Sequence, residues 1–323
     1  MNRPPSRLAV VIPTYQRRQL VLSCLDALNV QESSESFEVI VVVDGSTDGT
    51  AATVLERRWR FPIHVLEQPN QGQAVARNRG AAASTADIIL FLDDDMESAP
   101  GLIAAHLDAY RSGADAVTGA MFLHPSSPTT ILSEEVGRWG VELAERCSRP
   151  GHQLGPDDIF SGHLSIRREL LQILGGFDTR FTSRGTFGNE DVDLSYRLVA
   201  GEHSVVFRRD AIAYQRFIVE AAEHLRRWRQ VGEADVTLAR LHPDLDRTLR
   251  AASLRTLPRS PLARMALAAP DVISAVVAPL RWFTCHLVDR GVRDPLTKRV
   301  FWRLHTIAYW SGVARAGGPL DPL

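Results

Sequence analysis

The sequence predicts an α/β fold: a mostly parallel sheet with helices covering both faces. Three observations predict it. Short apolar runs recur through residues 1–121, helical periodicity separates them, and successive runs end in polar or acidic clusters. Leu8-Ala9-Val10-Val11-Ile12, closed by Pro13, is apolar at every position, as a central strand covered on both faces must be. Leu20, Val21, Cys24, Leu25 and Leu28 recur at helical spacing and predict the first helix. Residues 39–43 form the second strand, ending at Asp44-Gly45, and Ser46, Thr47 and Asp48 supply caps for a helix over about 50–58. A strand over 63–66, an alanine-rich helix over 74–83, a strand over 88–92, a helix over 102–110 and a strand over 116–121 follow. In such sheets ligands bind beyond the carboxyl ends of the strands. Pro13-Thr14-Tyr15, Asp44-Gly45-Ser46 and Asp93-Asp94-Asp95 therefore fall on one rim.

The second half reads differently. Residues 122–160, with Pro125, Pro128, Pro150 and Pro156, read as loop-rich; 161–166 read as a strand; Gly175-Gly176-Phe177-Asp178 is a turn. Asn189 stands where it could cap a helix whose first turn carries Glu190, Asp191 and Asp193, acids that the helix dipole favours there. Val192, Tyr196 and Val199 are expected to face the core, with Asp191 and Asp193 pointing in different directions. A boundary falls near residue 217, after which the chain turns helical and rich in Arg, Ala and Leu, with a helix pair over 221–241.

Bulk composition excludes some classes. The 323 residues are 45% hydrophobic and 23% charged, ordinary for a folded soluble protein. Basic and acidic residues number 37 and 38, so the basic excess of a general nucleic-acid binder is missing. Cys24, Cys147 and Cys285 show no Cys-x-x-Cys spacing, which suggests neither a disulfide framework nor a zinc site and fits a reducing cytoplasm. The apolar part of the N-terminal segment is too short for a signal peptide, and no uninterrupted apolar stretch is long enough for a spanning helix.

Asp93-Asp94-Asp95 carries the chemistry. Three adjacent carboxylates at the end of a buried strand repel one another, and a hard divalent cation held by oxygen ligands offsets that repulsion. Such a cation keeps part of its shell for substrate phosphates. A solvated acidic turn is the competing reading of these residues.

The chain resembles the family 2 glycosyltransferases of GT-A fold. The resemblance lies in VVIPTYQRR (10–18), VIVVVDGSTDGT (39–50), NQGQAVARNRGAAAS (70–84), ILFLDDDM (89–96), GGFDTRF (175–181) and GNEDVDLSYRL (188–198), six stretches in the family's order. It implies a mixed sheet flanked by helices over residues 1–216, with a donor half over about 1–121 and an acceptor half over about 122–216. Residues 217–323 would form a C-terminal helical extension. It implies an inverting transfer of a sugar from a nucleotide-diphosphate sugar, a UDP-sugar first, to an acceptor hydroxyl on a saccharide, lipid-linked saccharide or small natural product. Pro13, Thr14, Tyr15, Arg17 and Gly72 would line the nucleotide pocket, Asp44 would accept from the base, and Arg77 would approach the base or the phosphates. Asp93 or Asp94 would meet the ribose, and Asp95 with Asp93 would bind Mg²⁺ or Mn²⁺. Asp191, in the pair with Glu190, would be the general base, with Gly162, His163, Gly176 and Asn189 on the acceptor side. For His163 a core position is the favoured reading over the acceptor wall, by about two to one. Many relatives carry a further metal- or phosphate-binding histidine after the base helix; this chain has Gln215 at the comparable place.

Two other classes compete. A nucleotidyltransferase can share the sheet but carries a glycine-rich loop after its first strand, where this chain has Pro13-Thr14-Tyr15-Gln16-Arg17-Arg18. A non-catalytic nucleotide-sugar-binding module would not need both Asp95 and Asp191. Trp282, Phe283, Phe301, Trp302, Tyr309 and Trp310, interleaved with arginines, could lie on a membrane surface, cover the core or form a dimer contact. Prolines and mixed charge favour the last two, and a cytoplasmic protein, with a peripheral contact at the inner face of the membrane as the alternative.

Overall fold

The structure, a computed structural model, describes residues 7–182, 187–244, 251, 254 and 258–318. The chain divides into two compact units. The first comprises Met1–Ser126, Val136–Gly185 and Glu190–Phe217; the second comprises Ser127–Glu135, Thr186–Asn189 and Ile218–Leu323.

The first unit is built on an eight-stranded mixed sheet in the order β3-β2-β1-β4-β7-β6-β8-β5. Its strands are β1 (Leu8–Thr14), β2 (Phe37–Asp44), β3 (Ile63–Gln68), β4 (Ile88–Leu92), β5 (Met96–Ser98), β6 (Ala116–Leu123), β7 (His163–Arg167) and β8 (Val205–Gln215). The β3-β2-β1-β4 half is parallel, as the alternating strands and helices require. The other half is not: β7 runs antiparallel to both β4 and β6, and β5 runs antiparallel to β8.

The near-continuous apolar strands serve both faces. Leu8, Val10 and Ile12 join Val39, Val41, Val43, Leu90 and Leu92 in one core with α1 (Arg18–Leu28), α2 (Thr50–Glu56) and α4 (Leu102–Arg111). Ala9, Val11, Ile40, Val42, Ile89 and Phe91 face the other way, onto α3 (Gln73–Ala82), α6 (Arg168–Ile173) and α7 (Glu190–Ala200). Each fully buried Val, Leu or Ile contributes about 1.5–3 kcal/mol, so neither face can be given up. On α7 the core residues are Leu194 and Leu198, while Val192, Tyr196 and Val199 are only partly buried; the expected face is rotated. The rotation buries Asp193, which binds Arg197 at 2.6 Å.

A seventeen-residue helix escaped the sequence reading. Residues 131–147 form α5 (Ile131–Cys147), inside the stretch expected to be loop. Leu132, Val136, Trp139 and Leu143 hold helical spacing, but Gly137 and Gly140 lower the intrinsic propensity by about 1 kcal/mol each. Packing of Leu143 and Cys147 in the core overrides that preference.

The second unit is helical: α8 (Ala221–Leu241), α9 (Pro261–Ala268), α10 (Pro270–Val276), α11 (Ala278–Asp289) and α12 (Pro295–Arg315). The expected helix pair over 221–241 is one helix. Val231, Val236, Tyr309 and Val313 form its core. The buried Asp235 carboxylate accepts from the Tyr309 hydroxyl at 2.7 Å and from the Asn189 amide at 2.6 Å. Asp235→Ala removes a partner from both buried donors and is expected to cost about 1–3 kcal/mol, read as a lower denaturant midpoint at unchanged slope.

Candidate active site

The site lies at the carboxyl ends of β1 and β4, within the first unit. The strand-end loops are tied together there: Gln16 N–H donates to Ser46 Oγ at 2.9 Å, and Arg18 N–H donates to Asp48 Oδ2 at 2.9 Å. The acidic triplet is held one carboxylate at a time. Asp94 turns inward, accepting from Thr14 Oγ1 at 2.7 Å and Arg17 Nη1 at 3.0 Å. Asp93 accepts on Oδ1 from Gln73 Nε2 at 3.0 Å and Arg77 Nη2 at 2.7 Å. Asp95 Oδ2 lies 3.6 Å from Arg17 and 3.4 Å from Gln215 Nε2, while its Oδ1 is buried without a hydrogen-bond partner.

Arg77 joins the two acidic motifs. Its buried guanidinium donates to Asp93 through Nη2 and to Glu190 Oε1 through Nη1 at 2.9 Å, and lies 5.3 Å from the Phe177 ring centre. Residues far apart in sequence thus share one cation. Asp191, next to Glu190, accepts from Val192 N–H at 2.8 Å. Burial and the neighbouring Glu190 push its carboxyl up to about 7, against the pull of Arg77. Burial pushes Asp95 up to about 7 as well; Arg17 opposes this, and Asp94 and Asp93 add to it. Five carboxylates, Asp93, Asp94, Asp95, Glu190 and Asp191, stand against the guanidiniums of Arg17 and Arg77, an excess that favours a cation.

The other expected site residues divide. Gly162 belongs at the cluster: its carbonyl accepts from Asp93 N–H at 3.1 Å, and a Cβ there would stand 2.7 Å from Asp93 Oδ2. Gly72 takes φ +94° and packs against the Thr182 carbonyl too closely for any side chain. Tyr15 is exposed at the rim, whereas Pro13 is buried within β1. Asp44 is not a free acceptor. It takes hydrogen bonds from Gln68 Nε2, Gln71 N–H and Gly72 N–H at 2.7–2.9 Å and clamps the 70–72 loop. Both oxygens of Asp94 likewise accept hydrogen bonds within the chain, from Thr14 and Arg17.

His163 is a core residue. It is fully buried, its Nε2 lies 3.0 Å from His106 Nε2, and burial lowers its pKa to about 4, so it does not line an acceptor wall. Gly176 is a turn held by Asn78 and Arg197. Asn189 is buried in the second unit with its amide on Asp235, and takes φ +68°. Residues 183–186, within the expected acceptor half, lie outside the described residues. Gln73 was missed. Its signal was present: Gln73 and Arg77 are four apart on α3 and so share one face.

Residues 9–171 match the family model for glycosyl transferase family 2. The chain belongs to that family. As a family 2 member it is 32% identical over 219 residues to a validoxylamine A glucosyltransferase of Streptomyces hygroscopicus subsp. jinggangensis, covering 60% of this chain and 51% of that one. It is 25% identical to the glycosyltransferase AglE of Haloferax volcanii over 97% of this chain and 95% of that one. The chain spans about half the length or less of several curated relatives it matches, 30% of one Bacillus subtilis glycosyltransferase among them. Among solved structures it resembles the mannosyltransferase PcManGT from Pyrobaculum calidifontis in complex with GDP-Man and Mn²⁺ (TM-score 0.61, 21% identity, 95% and 86% covered). It also resembles S. aureus TarS 1–349 in complex with UDP (TM-score 0.51, 17% identity, 94% and 90% covered). The mixed sheet with flanking helices is the GT-A fold of these transferase structures, followed here by C-terminal helices.

Proposed function

We propose that this family 2 protein is an inverting glycosyltransferase that moves a sugar from a nucleotide-diphosphate sugar to an acceptor hydroxyl. The Arg77 bridge carries the reading, because it draws the strand-end triplet and the Glu190-Asp191 pair to one guanidinium. Donor-side and acceptor-side acids must flank a single anomeric carbon in an in-line displacement.

The residues fit a divalent ion. The donors are hard oxygens, Asp95 Oδ1 is buried and unbonded, and the Gln215 amide lies alongside. Asp95, with Asp93, would hold Mg²⁺ or Mn²⁺. Such an ion supplies Lewis-acid stabilisation of the charge that gathers on a departing diphosphate. Asp191 takes the proton from the acceptor oxygen as that oxygen attacks; a carboxyl near 7 is matched to this task at neutral pH. Glu190, bonded to Arg77, fixes the first turn of α7 and with it the place of Asp191. Tyr15 and Arg17 at the rim stand where they can meet the nucleotide. UDP-sugars are the donors placed first, and GDP-sugars second. The acceptor is a hydroxyl on a saccharide, lipid-linked saccharide or small natural product, and the cytoplasm is the compartment that supplies the donor.

A thermal-shift panel of UDP-, GDP- and dTDP-sugars, with and without Mn²⁺, tests the donor. A donor at about a hundred times its Kd adds about 2.7 kcal/mol of apparent stability. We expect one nucleotide series to raise Tm, and to raise it further with Mn²⁺. No rise with any sugar nucleotide would overturn the donor assignment.

A further inference from the structure

The aromatic residues of the C-terminal segment do not act together. Phe301 and Tyr309 are buried and Trp302 and Trp310 partly so, all four within the second unit. Trp282 is 70% exposed, Phe283 53% and Val276 70%, with Val272 and Leu280 also open. These five lie on α10 and α11, whose opposite faces are anchored by Ile273, Thr284, Cys285 and Val288. The outer face thus sets a ridge of five exposed apolar side chains on a fixed support, the kind of surface that marks an interaction site. Among the described residues no single helix is long and apolar enough to cross a membrane. α10 and α11 reach that length and apolarity only as a pair, and they bend by 61° at their junction.

Charge identifies what covers the ridge. Residues 258–318 contain nine Lys or Arg and three Asp or Glu, in a chain whose net charge is −1. Arg281 stands inside the ridge between Leu280 and Trp282, and Arg290, Arg299 and Arg303 are exposed nearby in sequence; none of the four forms an ion pair among the described residues. Beside the ridge a cavity of about 350 Å³ opens, lined in part by Ala278, Arg281 and Trp282, with Trp282 stacked on His286 at 5.7 Å. An apolar ridge holding the unpaired Arg281, with further unpaired arginines close in sequence, matches an anionic bilayer, where rings sit at headgroup level and arginines meet phosphates. A second copy of the chain fits less well, since a twofold contact would set this cationic ridge against itself.

We propose that the outer face of α10 and α11 docks on the surface of an anionic membrane, with Trp282, Phe283, Val276 and Leu280 inserted at the interface and Arg281 on lipid phosphate. The inference goes beyond the proposed transfer reaction and does not depend on it.

Sedimentation of the full chain with lipid vesicles tests it. The protein is expected in the pellet with mixed phosphatidylglycerol and phosphatidylcholine vesicles. Binding should fall by roughly tenfold or more on phosphatidylcholine alone or in high salt. The double variant Trp282→Ser, Phe283→Ser should lose roughly tenfold of the partitioning, and Arg281→Glu severalfold, with thermal unfolding unchanged because these side chains are exposed. If the double variant unfolds early, Arg281→Glu and Val276→Ser carry the test. Wild-type protein left in the supernatant with anionic vesicles, or variants that bind as wild type does, would overturn the proposal. So would a wild-type dimer, measured by light scattering, that the double variant converts to monomer.

Discussion

Asp191→Asn is expected to lower sugar transfer by about 10²–10⁴-fold while leaving the donor-induced rise in Tm intact. The amide keeps the shape of the carboxylate but cannot take the proton of the acceptor hydroxyl. A loss confined to kcat marks a group that acts in the transition state, whereas a shared loss of donor binding would mark a structural one. The pH profile gives a second reading. Burial and Glu190 hold Asp191 up to about 7, and only its ionised form is a base. Wild-type kcat should therefore rise with pH through about 7 and level off above it, and the residual activity of the variant should lack that limb. Full turnover in Asp191→Asn would place the base elsewhere.

Asp95→Asn is expected to have two effects of opposite sign. It removes the anionic oxygen with the open coordination position, so Mn²⁺-dependent donor stabilisation and transfer should fall by about 10²-fold or more. In metal-free protein it should raise stability. Folding lifts the Asp95 carboxyl from its ordinary range to about 7. At low pH both folded and unfolded chains hold the proton. As pH rises toward 7 the unfolded chain has released it and the folded chain has not, so stability from this group is lost as pH climbs through the folded value. Asparagine never ionises and avoids that cost. The variant should gain about 1 kcal/mol near pH 8, and the gain should vanish near about pH 4, by thermal unfolding in chelator. A variant that still responds to Mn²⁺ as wild type does would sink the metal assignment.

How much of this could be read from residues alone varies with the physics. The parallel half of the sheet was legible because β1, β2 and β4 are buried on both faces and must be apolar throughout. The rim clusters were legible for the same reason: polar residues that end such runs have nowhere else to lie. α5 was not, because Gly137 and Gly140 speak against a helix, and the helical spacing of Leu132, Val136, Trp139 and Leu143 prevails only once Leu143 and Cys147 are packed in the core. His163 illustrates a different ambiguity. A histidine beside Gly162 invites a role in binding, yet period-two alternation in β7 sends it into the core while its neighbour touches Asp93.

The sequence by itself determined the fold class and the family and picked out the acids proposed for the site, because these rest on local patterns: strand hydrophobicity, strand-end carboxylates and ordered motifs. Tertiary structure alone decided which acids are spent and which are open. Asp44 and Asp94 are consumed by hydrogen bonds from residues many positions away, Asp95 keeps an unbonded oxygen, and Arg77 ties Asp93 to Glu190, which stands 113 positions beyond Arg77 in the chain. It also separated Trp282 and Phe283 from the buried aromatics around them. A hydrogen bond or a buried face depends on what folding brings opposite a side chain, and no window of neighbouring residues contains that partner.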